Sequence, residues 1–556
     1  MGKRTSWSRR QLLAAGASGS VVGWLASNTS LAEASPALSR AKSPFKLLYN
    51  SDTTHILTCT SSWRPNKEPL ADIMFEKAVD EALDAGADAF LIAPGLGWVP
   101  WWPSQVLPLA EHCEWFKKRF NLPNASTSFT NYVLRGGDFL KLTVDRCHAR
   151  GAACLVSFRL NDVHHKESAD APGNSHIASV PQFYTDHPEY RLGEQSRETQ
   201  ISWARHVQNW AIPEVREFKF RFIEELCRNY DIDGIELDFY RAAAYFRAGE
   251  TTREQRRQIM AEFMARVRRT LDDHARPGRP RWLSVRIPGQ LAAHDALGID
   301  VQAFAAAGVD MFNLSASYHV EQTTSLTEIR RLVPHAAIYL ELTHVVSFNG
   351  DTRNRSHRRT TTEIATTTAH LAYSRGADGL SLFNFQYYRD YRDPGQAAGD
   401  GPYTEPPFEL LQVLKRPQSV ATLPQHYLVG SMYRNDPRRA YPFPRKVKGG
   451  ETLRYVLDLA PPPGGWQREG KLRLQARTAY AATEGWQAHI NGQSLPITPD
   501  VGEPYPSVYT QMHGQSGEWL TWRVPVSALR PGLNEVVIAC PHEVVLELLG
   551  LDLAIP

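Results

Sequence analysis

The chain has 556 residues, 42% of them hydrophobic and 22% charged, with a formal net charge of +3. That balance describes a globular protein with apolar material for more than one core, and it excludes a disordered, highly charged chain. The small positive excess also argues against nucleic acid as the main partner.

The N-terminus reads as a processing segment. Ser8-Arg9-Arg10-Gln11-Leu12-Leu13 resembles a twin-arginine export signal, followed by an apolar small-residue stretch over 12–26 and a Ser/Pro/Ala-rich linker over 35–43. Gly16, Ser18 and Gly19 break the apolar stretch, so no stable membrane span is expected once the signal, residues 1–40, is removed. The expectation is a bacterial periplasmic or secreted protein, exported after folding. The six cysteines include no C-x-x-C pair and no zinc-finger spacing with histidine, so no metal and no cofactor are expected from them.

From residue 52 onward one theme repeats: a short apolar run, then a longer amphipathic one. Strands are expected over 55–62, 88–94, 152–160, 233–240, 281–288, 310–317, 337–343 and 378–385. Helices are expected over 71–85, 138–150, 213–229, 253–274, 301–307, 326–332, 361–374 and 408–414. Ala85-Gly86-Ala87-Asp88 and Arg375-Gly376-Ala377-Asp378 each place a helix-ending glycine before an apolar strand. Eight βα units predict an α/β fold, a (βα)8 TIM barrel over 45–416. A doubly wound sheet that binds a nucleotide needs a glycine-rich phosphate turn after its first strand, and none is there.

Two connections are far longer than usual, 95–137 and 162–212. Both are aromatic: Trp98, Trp101, Trp102, Trp115, Phe116 and Phe120 in the first, Phe183, Tyr184, Tyr190, Trp203 and Trp210 in the second. They pack the loops onto the barrel, or they offer flat faces to sugar rings, with Trp98, Trp101 and Trp102 the candidates for the latter. Beyond a linker over 417–425, short alternating segments predict a smaller all-β sandwich domain over 426–556, with Asn491-Gly492 as a hairpin turn. It resembles the accessory β-sandwich modules of carbohydrate-active enzymes, Leu529-Arg530-Pro531-Gly532-Leu533-Asn534 before a strand being typical of them.

The chemistry centres on Asp233-Gly234-Ile235-Glu236-Leu237-Asp238. Alternate side chains of a strand face opposite ways, so Glu236 and Asp238 share a face that should be interior. Buried charge is costly unless paired or used. Glu341 in the seventh strand lies on the opposite parity from two leucines, Arg286 comes from the fifth, Asp162 and His164-His165 follow the third, Tyr318 follows the sixth, and Asn384 ends the eighth. Carboxylates, amides, arginine and tyrosine at one end of a barrel are what glycoside hydrolysis needs: one carboxylate meets the anomeric carbon and another protonates the leaving oxygen. Neighbouring carboxylates also push their pKa values apart.

Pro213-Glu214-Val215-Arg216-Glu217, followed by Tyr230-Asp231-Ile232-Asp233-Gly234-Ile235-Glu236-Leu237-Asp238, resembles the core of the family-10-like glycosyl hydrolases, sharply over 213–241. The resemblance implies a barrel glycoside hydrolase with a carbohydrate substrate and with Asp238 as its catalytic carboxylate. Glu236 and the Phe239-Tyr240-Arg241 ending depart from the family pattern. The same strand is similar to the chitinase pattern D-G-x-D-x-D-x-E, but Tyr240 stands where that motif has its acid glutamate, which disfavours chitinase chemistry. A metal-dependent amidohydrolase needs His-x-His on the first strand, and His55 stands alone. The expectation is therefore a two-carboxylate glycosidase acting on a poly- or oligosaccharide. Asp238 is its nucleophile or base, Glu341 its general acid with Glu236 second, and Asp162, His164, Arg286, Tyr318 and Asn384 line the substrate. Two alternatives stay open: a non-catalytic glycan-binding barrel, and a metal hydrolase using Asp162, His164 and His165.

Overall fold

The computed structural model describes residues 42–556 except 96–97, 122–127, 165–179, 194–203, 349–356, 391–404, 431–441, 482, 506–517 and 543. The export segment, Trp203 and His165 lie outside the described residues.

Eight parallel strands close into a barrel. They are β1 (Leu47–Ser51), β2 (Ala89–Ile92), β3 (Ala153–Arg159), β4 (Gly234–Asp238), β5 (Trp282–Pro288), β6 (Met311–Ser315), β7 (Ala337–Thr343) and β8 (Gly379–Phe383), with β8 pairing back onto β1. A helix follows each: α1 (Asp72–Asp84), α2 (Phe139–Ala149), α3 (Pro213–Asn229), α4 (Arg253–Asp273), α5 (Val301–Ala306), α6 (Leu326–Leu332), α7 (Thr362–Ser374) and α8 (Leu410–Leu414). The TIM-barrel expectation is met, with one shift at the start. The first strand is Leu47–Ser51, not 55–62, and His55–Thr58 is a helical turn. Thr53, at φ 68, turns the chain between them.

Local chemistry explains the boundaries. Pro213 opens α3, where its missing N–H costs nothing. At α4, Gln255 N donates to Thr252 Oγ1 and Thr252 N donates to Gln255 Oε1, a reciprocal capping box. Gly86 and Gly376 end α1 and α7 at φ 113 and 99. The chain then reaches an aspartate that latches the base of the barrel. Asp88, Asp233, Asp310 and Asp378 lead into β2, β4, β6 and β8. Each accepts a hydrogen bond at 2.8–2.9 Å from a backbone N–H at the start of the preceding strand: Leu47, Cys154, Leu283 and Ile338.

The strands' outward residues, such as Ile235, Leu237, Phe312 and Leu340, pack beneath the helices in the main core. The inward residues form three layers. The lowest is an apolar plug that includes Leu48, Ala89, Leu91, Leu155, Met311, Ala337 and Tyr339. Gly234 belongs at this level because a Cβ there would lie 2.3 Å from the Trp282 carbonyl oxygen. Above the plug the interior turns polar.

After the barrel come β9 (Gln425–Leu428), β10 (Arg445–Lys448), β11 (Thr452–Leu459), β12 (Gly470–Ala476), β13 (Gln487–Ile490), β14 (Gln493–Leu495), β15 (Ile497–Thr498), β16 (Trp519–Val524), β17 (Gly532–Ala539) and β18 (Val545–Ile555). They form two antiparallel sheets, β9-β18-β12-β16-β15 with β10 on β18, and β11-β17-β13-β14, around their own core of Leu457, Leu472, Leu474, Trp522, Val536 and Ile538. Asn491 and Gly492 both have positive φ, 51 and 84, which is why this dipeptide closes the β13–β14 hairpin. The stretch read as a linker, 417–425, instead holds a helical turn, Pro417–Val420, and the start of β9. β9 is stitched to the barrel: His426 N donates to Thr367 Oγ1 at 2.7 Å, and Leu428 N to Gln322 Oε1 at 2.8 Å.

Candidate active site

The middle interior layer is built around Glu236. Asn50 Nδ2 and Ser157 Oγ donate to its Oε1 at 2.6 and 2.9 Å, and Asn313 Nδ2 donates to its Oε2 at 3.0 Å. Asn50, Ser157, Asn313 and Ser381 come from β1, β3, β6 and β8, each on the inward parity of its strand. Glu236 is fully buried, and burial pushes its carboxyl up to about 7 against the pull of Asn313, Arg286 and Ser157.

One layer higher, at the C-terminal ends of the strands, Arg286 of β5 is wholly buried between two carboxylates. Its Nε and Nη2 donate to Glu341 Oε2 and Oε1 at 2.6 and 2.7 Å, a bidentate fork. Its Nη1 lies 3.1 Å from both oxygens of Asp238. Burial alone would weaken the hold of Arg286 on its proton, but Asp238 and Glu341 outweigh it and the guanidinium stays charged. Asp238 Oδ1 also accepts from Tyr240 N and Arg241 N at 2.8 and 3.1 Å. Backbone and guanidinium thus orient the Asp238 carboxylate at the barrel mouth. Glu341 is saturated. Ser315 Oγ adds a third donor, to Oε1 at 2.6 Å, and Asn313 Nδ2 a fourth, to Oε2 at 3.5 Å, so each oxygen accepts two hydrogen bonds. Burial pushes its carboxyl upward while Arg286 and Ser315 pull it back. Neither oxygen is left to present a proton to a substrate.

Beside this pair lies a second cluster. Asp162 is fully buried; Arg159 Nη1 donates to its Oδ2 at 3.1 Å, and His164 N and Nδ1 lie 2.7 and 2.6 Å from its Oδ1. Arg241 Nη2 meets His164 Nε2 at 3.0 Å. A guanidinium only donates, so Nε2 accepts and Nδ1 carries the hydrogen: His164 is the neutral tautomer. Burial and the Arg241 charge lower its pKa against the pull of Asp162, which agrees. Burial would raise Asp162, but His164, Arg159 and Arg241 outweigh it and hold the carboxyl well below its ordinary range. Arg241 Nη1 donates to the Tyr318 hydroxyl, and its guanidinium carbon lies 4.9 Å from the centre of that ring.

The sequence expectations fare unequally. Asp238, Arg286, Glu341, Asp162, His164 and Tyr318 join through these two clusters. Asn384, at φ 55 after β8, is buried with neither amide atom partnered among the described residues. Glu236 lies a layer below the mouth, and its described donors are amides and a hydroxyl rather than Arg286. The tryptophans need correction. Trp98, Trp101 and Trp102 are 2, 4 and 2% exposed. Trp98 stacks on Phe218, Trp101 on Phe129 at 4.1 Å between ring centres, and Trp102 packs edge-on against Phe222 while its Nε1 donates to Glu225. Their faces are spent on α3 and on the loop itself, so none is open to a sugar. Nor is the loop bare, since it contains the helices Leu109–Phe120 and Ser128–Leu134. Of the proposed metal ligands, Asp162 already serves Arg159 and His164, and His165 is outside the described residues. Asp52, which follows β1 and bonds Thr54 and Tyr387, went unread as a site residue.

A family model described as glycosyl hydrolase-like 10 matches residues 124–269, which hold the motif over 213–241. No curated protein gives a significant match. Among solved structures, an α-amylase from Geobacillus thermoleovorans complexed with acarbose is 13% identical, the match covering 89% of this chain and 98% of that one at a TM-score of 0.37. A bacterial fucosidase with a bound inhibitor is 11% identical, with coverage of 89% and 92% and a TM-score of 0.36. A family-36 α-galactosidase from Geobacillus stearothermophilus in complex with raffinose is 11% identical, with coverage of 87% and 56% and a TM-score of 0.35.

Proposed function

We propose that the glycosyl hydrolase-like barrel is an exported enzyme that hydrolyses a poly- or oligosaccharide with two carboxylates. Asp238 is the one that meets the anomeric carbon, as nucleophile or as base toward water. The observation that carries this reading is the setting of Asp238: a carboxylate at the C-terminal end of β4, where barrel enzymes keep their chemistry, with its Oδ1 fixed by two backbone N–H groups and its charge balanced by Arg286. An oxocarbenium-like centre next to it would meet a fixed negative charge with no reorganisation. Glu341 serves by holding Arg286 in place. Asn384 and Tyr318 supply hydrogen-bonding groups for sugar hydroxyls, while His164, with both ring nitrogens engaged, holds Asp162 and Arg241 in place.

Export is supported by the twin-arginine-type segment. All six cysteines are buried and none is in a disulfide, which is compatible with folding in a reducing compartment before export. Among the described residues no helix is long and apolar enough to cross a membrane.

Digestion of a panel of polysaccharides by the mature protein tests the reading. Asp238→Asn is expected to abolish product release while leaving the fold intact. An Asp238→Asn variant as active as the wild type would sink it. The second reading, a glycan-binding barrel without catalysis, is favoured by the saturation of Glu341. Retention of glycan by a wild-type protein that releases no product would select it.

A further inference from the structure

The reading above leaves the proton donor unassigned, because Glu341 is saturated by Arg286 and Ser315. We propose that Asp52 is the general acid of that reaction, positioned by Thr54 and Tyr387. This rests on the hydrolase reading and on the role of Asp238 within it.

Four described carboxylates stand at the barrel mouth: Asp52 after β1, Asp162 after β3 and bonded by Arg159, Asp238 on β4 and Glu341 on β7. Asn50, on the inward face of β1, donates to Glu236 in the middle layer. Asp52 comes two residues later, just past the C-terminal end of β1 and before the turn at Thr53. It is 3% exposed. Its partners differ in kind from those of the other three, each of which has a guanidinium donor. Thr54 N and Thr54 Oγ1 donate to Oδ1 at 3.1 and 2.7 Å, and the Tyr387 hydroxyl lies 3.3 and 3.5 Å from Oδ1 and Oδ2. None of these described partners is a cation. A guanidinium can serve only an anionic carboxylate, whereas a hydroxyl can donate to the anion or accept from the acid. Asp52 is therefore a mouth carboxylate held by hydroxyls and a backbone N–H rather than by a guanidinium, and hydroxyl partners can stay bonded to a group that gives and regains a proton. Tyr318, Asp162 and Asp52 all help Arg241 keep its proton, and Arg241 N bonds Asp238, so Asp52 and Asp238 both lie near Arg241.

The step balances. The protonated Asp52 carboxyl gives its proton to the glycosidic oxygen as the anomeric C–O bond breaks. The bonding pair passes to that oxygen, and the alcohol leaves. Where Asp238 is the nucleophile it bonds the anomeric carbon, and water then displaces it and gives its proton to Asp52; where Asp238 is the base it takes the proton of the attacking water, and Asp52 regains its own from solvent.

Leaving-group dependence tests the assignment. The Asp52→Asn variant is compared with wild type on the polysaccharide found by digestion and on the dinitrophenyl glycoside of the sugar released, whose leaving group needs no proton. The expected result is a loss of roughly 10²–10⁴-fold on the polysaccharide, the usual worth of a general acid, with turnover of the dinitrophenyl glycoside kept within about tenfold. Asp238→Asn, in contrast, should be dead on both. Equal activity of Asp52→Asn and wild type on the polysaccharide, with Asp238→Asn inactive, overturns the role of Asp52 and leaves the hydrolase reading standing. An equal loss on both substrates by a folded Asp52→Asn protein also overturns it. A wild-type protein that cleaves no glycosidic bond removes the hydrolase reading and the acid together.

Discussion

Replacing Glu236 by glutamine should stabilise the protein, and only at high pH. The buried carboxyl is pushed from 4.5 up to about 7. Below about pH 4.5 the folded and unfolded chains both carry the proton, and the shift has no effect on stability. Between there and pH 7 the unfolded chain releases its proton while the folded one keeps it, so stability falls as pH rises. Two and a half pH units at about 1.4 kcal/mol each amount to roughly 3.5 kcal/mol, all of it lost above pH 7. Glutamine has the same shape and no charge. Its carbonyl oxygen can keep the Asn50 and Ser157 bonds. Its amide must find an acceptor where Asn313 Nδ2 now donates, and Asn313 Oδ1 is buried with no described partner, so a flip of that amide supplies one. Denaturant unfolding of wild type and Glu236→Gln at several pH values checks this. The difference should be near zero at pH 4 and approach roughly 3.5 kcal/mol in favour of glutamine at pH 8. A variant no more stable than wild type at pH 8, or a difference that does not change with pH, refutes the reasoning.

Arg286→Met strands Asp238 and Glu341 as buried charges and should cost about 3–5 kcal/mol in denaturant unfolding. Arg286→Lys keeps the charge but not the fork, and is expected to lose activity as well. Trp101→Ala removes a ring stacked on Phe129 and should destabilise by about 3–5 kcal/mol with KM for the glycan unchanged, since the ring faces protein. A raised KM without a stability loss would return Trp101 to the substrate. Gly234→Ala forces a Cβ against the Trp282 carbonyl and should cost roughly 3 kcal/mol, read as a lowered denaturant midpoint.

Most of the barrel could be read because its strands carry strong apolar runs set off by glycines and amphipathic helices. The first strand escaped for a physical reason. Leu47–Ser51 is five residues long, buried on both faces, and lies directly after a linker-like stretch, so it shows neither alternation nor a preceding helix. The misplaced start hid Asn50 and Asp52, since their inward parity means nothing until the strand is found. Glu236 and Asp238 stood out because their neighbours Ile235, Leu237 and Phe239 define the opposite face. The fate of Glu341 could not be read. Saturation depends on Ser315 and Arg286 arriving from two other strands, and no local pattern encodes that meeting. The tryptophan run misled in the same way. Its aromatic content was plain, but the covering faces of Phe218 and Phe222 belong to α3, more than a hundred residues on.

The four strand-leading aspartates recur with a period of two strands, so the barrel floor is fastened as four pairs. Each latch also has a cation beside it: Lys415 at Asp88, Arg279 at Asp233, Arg268 at Asp310 and Arg330 at Asp378. In hydrogen-exchange terms, the amides of Leu47, Cys154, Leu283 and Ile338 should form one protected set, and loss of a single aspartate should loosen its own pair before the other three. Local opening of the barrel would then proceed in quarters, from the floor, while the charged network at the mouth stays assembled.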